Sequence, residues 1–291
     1  MSKLSIIIPS RNEQFLQRTI EDILEKATGD IEIIAVLDGY WPSPQLKDDK
    51  RLHIIHRGEA KGMRPAINAG AAISRGDYLM KCDAHCMFDD GFDNKLIKDC
   101  EDNWVVIPTR KSLDAENWCP RPDRSDIYYE YLSYPNDPKD WGGKGLHGRN
   151  WRGKNKDPDL QKILIDDNMS FQGSCWMMPK KYFYQLDLMD ADNYGPFWQE
   201  AQEIGLKAWL SGGRVVVNKK TWYAHLHKGK KYGRGYSIRS LNIERATKQT
   251  NKWLTNSAWD KQTLPFEWII DKFWPVPEWP DNWRETIKDE V

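Results

Sequence analysis

Along the first hundred residues, short apolar runs alternate with stretches of helical period. Leu4-Ser5-Ile6-Ile7-Ile8-Pro9 is a near-continuous apolar run closed by proline, the pattern of a strand covered on both faces. Phe15, Thr19, Ile23, Leu24 and Ala27 then recur at helical spacing until Gly29 stops the helix. A second buried strand is predicted over Ile31 to Leu37, ending at Asp38-Gly39, and a third over Leu52 to His56. Met63 to Ile73 reads as a helix. Asp77 to Cys82 reads as a fourth strand running into Asp83-Ala84-His85, and Trp104 to Pro108 as a further one. Strands separated by helices imply an α/β fold with a mostly parallel sheet, and such sheets bind ligands beyond the carboxyl ends of their strands. Ser10-Arg11-Asn12-Glu13, Asp38 and Asp83-Ala84-His85 all fall at that edge.

From residue 110 to 166 the periodicity is lost, and Asp, Pro, Gly, Trp and Tyr dominate. So long a stretch without clear elements, yet so aromatic, is expected to be functional rather than disordered. Order returns with Ser170 to Met178, a helix from about Trp198 to Leu210, Gly212-Gly213, and strands near Arg214 to Val217 and Thr221 to His225. The tail from Tyr236 is expected to be helical and then Trp/Pro-rich. The expected division is a catalytic domain over 1–235, with a nucleotide-binding half (1–108) and an acceptor and metal half (109–235), followed by an extension over 236–291.

Composition narrows the classes. The 291 residues hold 43 Lys+Arg and 43 Asp+Glu, so no global field draws the chain to nucleic acid or to an acidic membrane, and any polyanion must meet a local patch. A mean hydropathy of −0.76 and apolar runs of strand length predict no membrane span. The amino-terminal residues form a short polar lead into a strand rather than a signal peptide. The five scattered cysteines make no disulfide framework, and the spacing of Cys82 and Cys86 does not suit a zinc knuckle. Reduced thiols and a cytoplasmic location, in a bacterium or a virus-infected cell, are the expectation. The 15 tryptophans are read mainly as core residues, with some free to stack on a sugar or a base.

Asp83-x-His85 at a strand end is the sharpest local feature. In an extended segment, side chains two residues apart point the same way, so a carboxylate oxygen and an imidazole nitrogen reach one ion. A divalent cation there neutralises charge on a leaving diphosphate, and the mixed O/N set suits Mn²⁺ better than Mg²⁺ or Ca²⁺. Glu200 and Glu203 lie three apart on one helix, with Glu200 near its positive N-terminal end.

Taken together, several motifs resemble the family 2-like GT-A glycosyltransferases. They are the strand leading to Pro9-Ser10-Arg11-Asn12-Glu13, Asp38 after the second strand, Gly62-Met63-Arg64-Pro65-Ala66-Ile67-Asn68-Ala69-Gly70, and Gly76-Asp77-Tyr78-Leu79 leading to Asp83-x-His85. The Asp-x-His form is similar to that of the polypeptide N-acetylgalactosaminyltransferases. Their Glu-Asn-x-Glu-x-x-x-Arg-x-Trp-x-x-Gly-Gly helix resembles the run from Glu200 to Gly213, and Ala224-His225 their Gly-His segment. The resemblance implies a GT-A fold and transfer of a sugar from a nucleotide diphosphate donor, expected to be a UDP-sugar. Pro9, Arg11 and Glu13 would line the nucleoside pocket, Asp38 would bond the base, and Arg64 would sit near base or phosphates. Asp83, His85 and His225 would hold the metal, Mn²⁺ or else Mg²⁺, with His227 as the alternative third ligand. Lys228, Lys230 and Tyr232 would belong to a mobile loop closing over the diphosphate, and Glu200 or Glu203 would touch donor sugar or acceptor. The family's Trp-Gly-Gly is replaced here by Phe197-Trp198-Gln199, and its Glu-Asn by Glu200-Ala201, which leaves donor sugar, peptide acceptors and stereochemistry open.

Two stretches are locally basic. Residues 219–248 hold nine Lys/Arg against Glu244 alone, with Trp222, Tyr223, Tyr232 and Tyr236 interleaved. Residues 139–162 hold seven against three Asp, with Trp141 and Trp151. Cations for phosphates beside aromatic faces for bases fit a nucleic-acid groove. The chain also resembles stand-alone enzymes that glycosylate hydroxymethylated pyrimidines in viral DNA, so DNA is one expected acceptor, beside a cell-surface or lipid-linked glycan and protein Ser/Thr. Of the other classes, a nucleotidyltransferase is disfavoured because the loop after the first strand lacks glycine. An inactive fold serving as a binding module is disfavoured because all three candidate ligands are present.

Overall fold

A computed structural model describes residues 3–135 and 144–287. Lys139 and Trp141 of the second basic stretch lie outside the described residues. In chain order the amino-terminal half runs β1 (Leu4–Ser10), α1 (Leu16–Lys26), β2 (Ile31–Asp38), β3 (Leu52–Arg57), α2 (Met63–Ile73), β4 (Tyr78–Cys82), β5 (Cys86–Phe88), α3 (Phe92–Lys98) and β6 (Trp104–Asp114). Short elements follow: β7 (Cys119–Pro120), β8 (Glu130–Leu132), β9 (Gly148–Asn150), α4 (Arg152–Lys156), α5 (Pro158–Lys162) and β10 (Ile165–Asp167). Then come β11 (Cys175–Pro179), α6 (Lys180–Gln185), α7 (Ala191–Tyr194), α8 (Glu200–Leu210) and β12 (Arg214–His225). The last part is helical: α9 (Gly229–Tyr232), α10 (Ser240–Asn251), α11 (Phe266–Phe273) and α12 (Trp283–Thr286).

The main sheet has the order β10-β12-β6-β11-β4-β1-β2-β3. β3, β2, β1 and β4 are parallel, as the helices between them require. β11 enters antiparallel between β4 and β6, β12 lies parallel to β6, and β5 pairs the far end of β12. The strict alternation of β1 sorts its side chains onto two faces. Ile6 and Ile8 join Leu16, Ile20 and Phe92 under α1 and α3, while Ile7 joins Ala66, Ile67, Ile204 and Trp209 under α2 and α8. That second core also takes in Trp253, Phe266, Ile269, Trp279 and Trp283. The tryptophans of the tail therefore pack into the same interior as the sheet.

Two expectations are revised. The strands near Arg214–Val217 and Thr221–His225 are one strand, β12, whose register against β6 breaks between Asn218 and Trp222. The irregular spacing of apolar residues there is the mark of a bulge. β6 does not stop at Pro108 but continues to Asp114; Pro108 faces Asn218, at the margin of that bulge, where a missing ladder donor is tolerated.

Candidate active site

The carboxyl ends of β1, β2 and β4 open onto a cleft of about 1390 Å³, closed on its other side by the end of β12 and the segment after it. β4 and β12 deliver three ligating groups to one point. Asp83 Oδ2 lies 3.2 Å from His225 Nε2, the two Nε2 atoms of His225 and His85 are 3.1 Å apart, and His85 Nε2 is 3.7 Å from Asp83 Oδ2. Ligand bonds of about 2.1 Å at right angles put neighbouring donors about 3 Å apart, so this triangle fits one face of an octahedral cation. One carboxylate and two imidazoles form a donor set of intermediate hardness, which suits a first-row divalent ion. His225 Nδ1 is buried without a hydrogen-bond partner among the described residues. His227, the alternative ligand, is stacked edge-on against His225, with ring centroids 5.2 Å apart, and lines the cleft beyond the triangle.

Behind the triangle sits Lys81, which the sequence reading did not single out. It is 1% exposed, and its ammonium donates to Asp83 Oδ1 at 2.8 Å, Gly173 O at 2.6 Å and Glu200 Oε2 at 3.2 Å. Trp176 Nε1 donates to the other oxygen of Glu200 at 2.7 Å. Burial pushes the Glu200 carboxyl above its ordinary range, although Lys81 and Trp176 pull the other way. Burial likewise raises the Asp83 carboxyl, but Lys81, His225 and His85 together hold it well below that range. Gly173 matters by being small: a Cβ there would stand 3.0 Å from Glu200 Oε2.

The turn into α8 is unusual. Trp198 and Gln199 have φ of 85° and 57°, left-handed values uncommon for residues with a side chain. Gln199 is buried at the cleft, and its Nε2 lies 3.0 Å from His147 Nδ1. His147 escaped the sequence reading, whereas Gln199 was marked there only as part of the Phe197-Trp198-Gln199 departure from the family's Trp-Gly-Gly.

Of the residues expected at the nucleoside, Pro9, Arg11, Glu13 and Asp38 line the cleft. Asp38 is already committed: its carboxylate accepts from the backbone N–H of Lys61 at 2.9 Å and of Gly62 at 2.8 Å. Gly62, at φ 100° and against Pro196, is the residue that lets the chain turn there into α2. Arg64 and Glu203 have no face on the cleft. They meet each other in the interior, both with fully buried side chains, and Glu203 also accepts from Lys207 and from the backbone N–H of Asp190, each at 3.0 Å. Glu200 points to the cleft and Glu203 into the core, although three residues on a helix share a broad face.

The segment after β12 lies against the first loop. Lys228 Nζ is 2.6 Å from Glu13 Oε1, Asn12 Nδ2 donates to Gly235 O at 3.3 Å, and the Arg11 guanidinium lies 4.9 Å from the centre of the Tyr236 ring. Burial raises the Glu13 carboxyl, but His85 and Lys228 bring it below its ordinary value. Lys230 and Tyr232 lie on the outer side of this segment, away from the cleft. Replacing Lys228 by Met is expected to speed tryptic cleavage between 229 and 236 severalfold, because the Glu13 contact ties that segment down. An unchanged cleavage rate in the folded variant would show that the contact does not hold it.

The family profile described as Glycosyl transferase family 2 matches residues 5–187. Among curated proteins, polypeptide N-acetylgalactosaminyltransferase 3 of Mus musculus is 25% identical over 250 residues, covering 78% of this chain and 37% of its own length. Polypeptide N-acetylgalactosaminyltransferase 11 of Xenopus tropicalis is 25% identical over 260 residues, covering 79% and 39%. The chain thus spans about two fifths of these relatives. A crystal structure of GalNAc-T7 with UDP, GalNAc and Mn²⁺ superposes with a TM-score of 0.69 at 17% identity, over 94% of this chain and 56% of that one. Staphylococcus aureus TarS 1-349 in complex with UDP-GlcNAc superposes with a TM-score of 0.55 at 12% identity, over 99% and 80%. These likenesses establish the GT-A fold.

Proposed function

The chain belongs to glycosyl transferase family 2, and from that membership we propose that it moves a sugar from a UDP-linked donor to a hydroxyl acceptor with the help of a divalent cation, Mn²⁺ by preference. The observation that carries this reading is the Asp83–His85–His225 triangle at the carboxyl edge of a parallel sheet. A cation held there would offset the charge that grows on the diphosphate as it leaves. The protein's own residues do the rest. Lys81 fixes the second oxygen of Asp83, so that Oδ2 faces the two imidazoles. Arg11 and Pro9 line the nucleoside end, and Glu200, held between Lys81 and Trp176, presents a fixed polar edge to the sugar. The segment from His227 to Tyr236 closes the cleft against water, which would otherwise hydrolyse the donor.

No helix among the described residues is long and apolar enough to cross a membrane. For the acceptor, the basic residues support a 5-hydroxymethylpyrimidine in DNA, and the structure divides them. Lys219 donates to Tyr129 OH and to the carbonyls of Leu160 and Ile163, Lys220 pairs with Asp99, and Lys228 with Glu13. Lys230 lines a second cavity beside the donor cleft.

Calorimetric titration of UDP, with and without Mn²⁺, tests the donor site beside Asp83→Ala. Binding that requires Mn²⁺ and disappears in the variant is expected. Folded protein that ignores UDP under every condition would refute the reading.

A further inference from the structure

The reaction cleft does not end at the triangle. A second cavity of about 1060 Å³ shares Asn150, Leu226, His227, Lys228 and Gly229 with it. Its walls are α9, the end of β6 from Ser112, and the chain that follows as far as Ile127. Six cations and three carboxylates line this chamber. Most of its acidic capacity is already taken. Asp123 is held by Arg121 at 2.7 Å, Glu116 pairs with Lys231, and Asp114 is turned back onto Asn117 Nδ2 at 2.8 Å. Lys228 is held by Glu13. That leaves Arg124, which approaches Asp123 only at 3.7 Å, and Arg152 and Lys230, which have no ion-pair partner among the described residues.

We infer that this chamber receives the acceptor, and that the acceptor carries phosphate close to the hydroxyl it offers. This rests on the glycosyl-transfer reading above and gives its acceptor a seat and a recognition chemistry. The chamber reaches the donor cleft past His227, two residues from the triangle, so a molecule seated in it directs its hydroxyl at the sugar. In the transfer, the bond from sugar C1 to phosphate oxygen breaks with its electron pair on UDP. The acceptor oxygen bonds C1, and its proton leaves with UDP or to solvent. Unneutralised guanidinium and ammonium groups are the recognition chemistry of phosphate, and two guanidinium forks add directional bonds that a lysine cluster lacks. A neutral glycan or peptide would need free aromatic faces here, and those present are engaged. Tyr232, which lines the chamber, stands edge-on to Phe15 with centroids 5.4 Å apart and has the Lys231 ammonium 5.2 Å from its ring centre. The donor diphosphate does not account for the charge, since the ligand triangle sits in the other cavity.

The phosphate can come from a nucleic-acid strand or from a polyol phosphate, and two probes separate them. A fluorescein-labelled single DNA strand carrying 5-hydroxymethylcytosine and a labelled glycerol phosphate oligomer are titrated by anisotropy with UDP and Mn²⁺ present, beside a neutral maltooligosaccharide. At least one phosphate probe is expected to bind, and the sugar probe not. The Arg124→Gln/Arg152→Gln variant should bind that probe at least tenfold more weakly. For the DNA strand the log–log salt slope should fall by about 1.4, as expected when two phosphate contacts are lost. The wild-type and variant proteins are also titrated with UDP, which should bind both equally. If UDP binds but neither phosphate probe does, or if the double variant binds the probe as wild type does, the inference fails while the donor reading stands. If UDP itself fails to bind wild type, the donor reading fails and takes this one with it.

Discussion

Replacing Lys81 by Met is expected to reduce Mn²⁺ affinity or turnover by about 10- to 100-fold, the range seen when a group supporting a metal ligand is removed. The substitution takes one donor from three acceptors at once: Asp83 Oδ1, Glu200 Oε2 and Gly173 O. Burial lowers the Lys81 ammonium, yet Asp83 and Glu200 more than compensate and keep it charged. Without it two carboxylates face each other across a buried gap, and Asp83 is free to rotate its second oxygen away from the imidazoles. Lys81→Arg should not restore function, since the 1% exposed site has no room for a planar fork. The check is the Mn²⁺ concentration that half-saturates UDP binding, measured with the urea midpoint. A purely structural lysine would shift the midpoint and leave the Mn²⁺ dependence alone. A folded Lys81→Met protein with the wild-type Mn²⁺ requirement would overturn the positioning role.

Lys81 also shows what could be read from the chain and what could not. The period of two that places Asp83 and His85 on one side of the strand end also places Lys81 there, and a lysine inside Tyr78–Cys82, an otherwise apolar strand, needs a partner. The cue was present but local pattern does not say which carboxylate answers it; Glu200 is 119 residues away. The parallel half of the sheet and the triangle were legible because each strand is a short, mainly apolar run ending in a polar loop. The stretch after β6 was not, because its order comes from long-range contacts such as Asn155 Oδ1 accepting from the backbone of Tyr128 and Tyr129, each at 2.8 Å. The tail tryptophans read as core in kind, but their place under the sheet is a tertiary fact. Glu203 had a nearer clue: Lys207 follows it by four residues, the spacing of an intrahelical ion pair, and so marks the face turned from the cleft.

That pairing sets the second large effect, on stability rather than on binding. Arg64→Met is expected to destabilise the fold by about 3–5 kcal/mol, the usual penalty for removing one partner of a buried ion pair. Arg64 is fully buried; it donates to Glu203 and to Trp198 O at 2.8 Å, and its guanidinium lies 4.6 Å from the centre of the Tyr194 ring. Burial brings the guanidinium down to about 10, still charged at neutral pH, so the loss is that of a charge and not of a neutral donor. With Arg64 gone, Glu203 retains Lys207, whose ammonium burial has lowered to about 8. The double variant Arg64→Met/Glu203→Met should recover part of the loss, because no unmatched carboxylate remains buried, although Lys207 then needs a new acceptor. Urea unfolding followed by tryptophan fluorescence reads the effect, and UDP calorimetry on the same samples reads the site. If Arg64 served base or phosphates, as its motif alone implies, Arg64→Met would keep its urea midpoint and lose UDP. The buried geometry predicts the reverse: a large fall in midpoint, with the affinity of the folded fraction for UDP within a factor of about three of wild type, since a shift that small is under 1 kcal/mol.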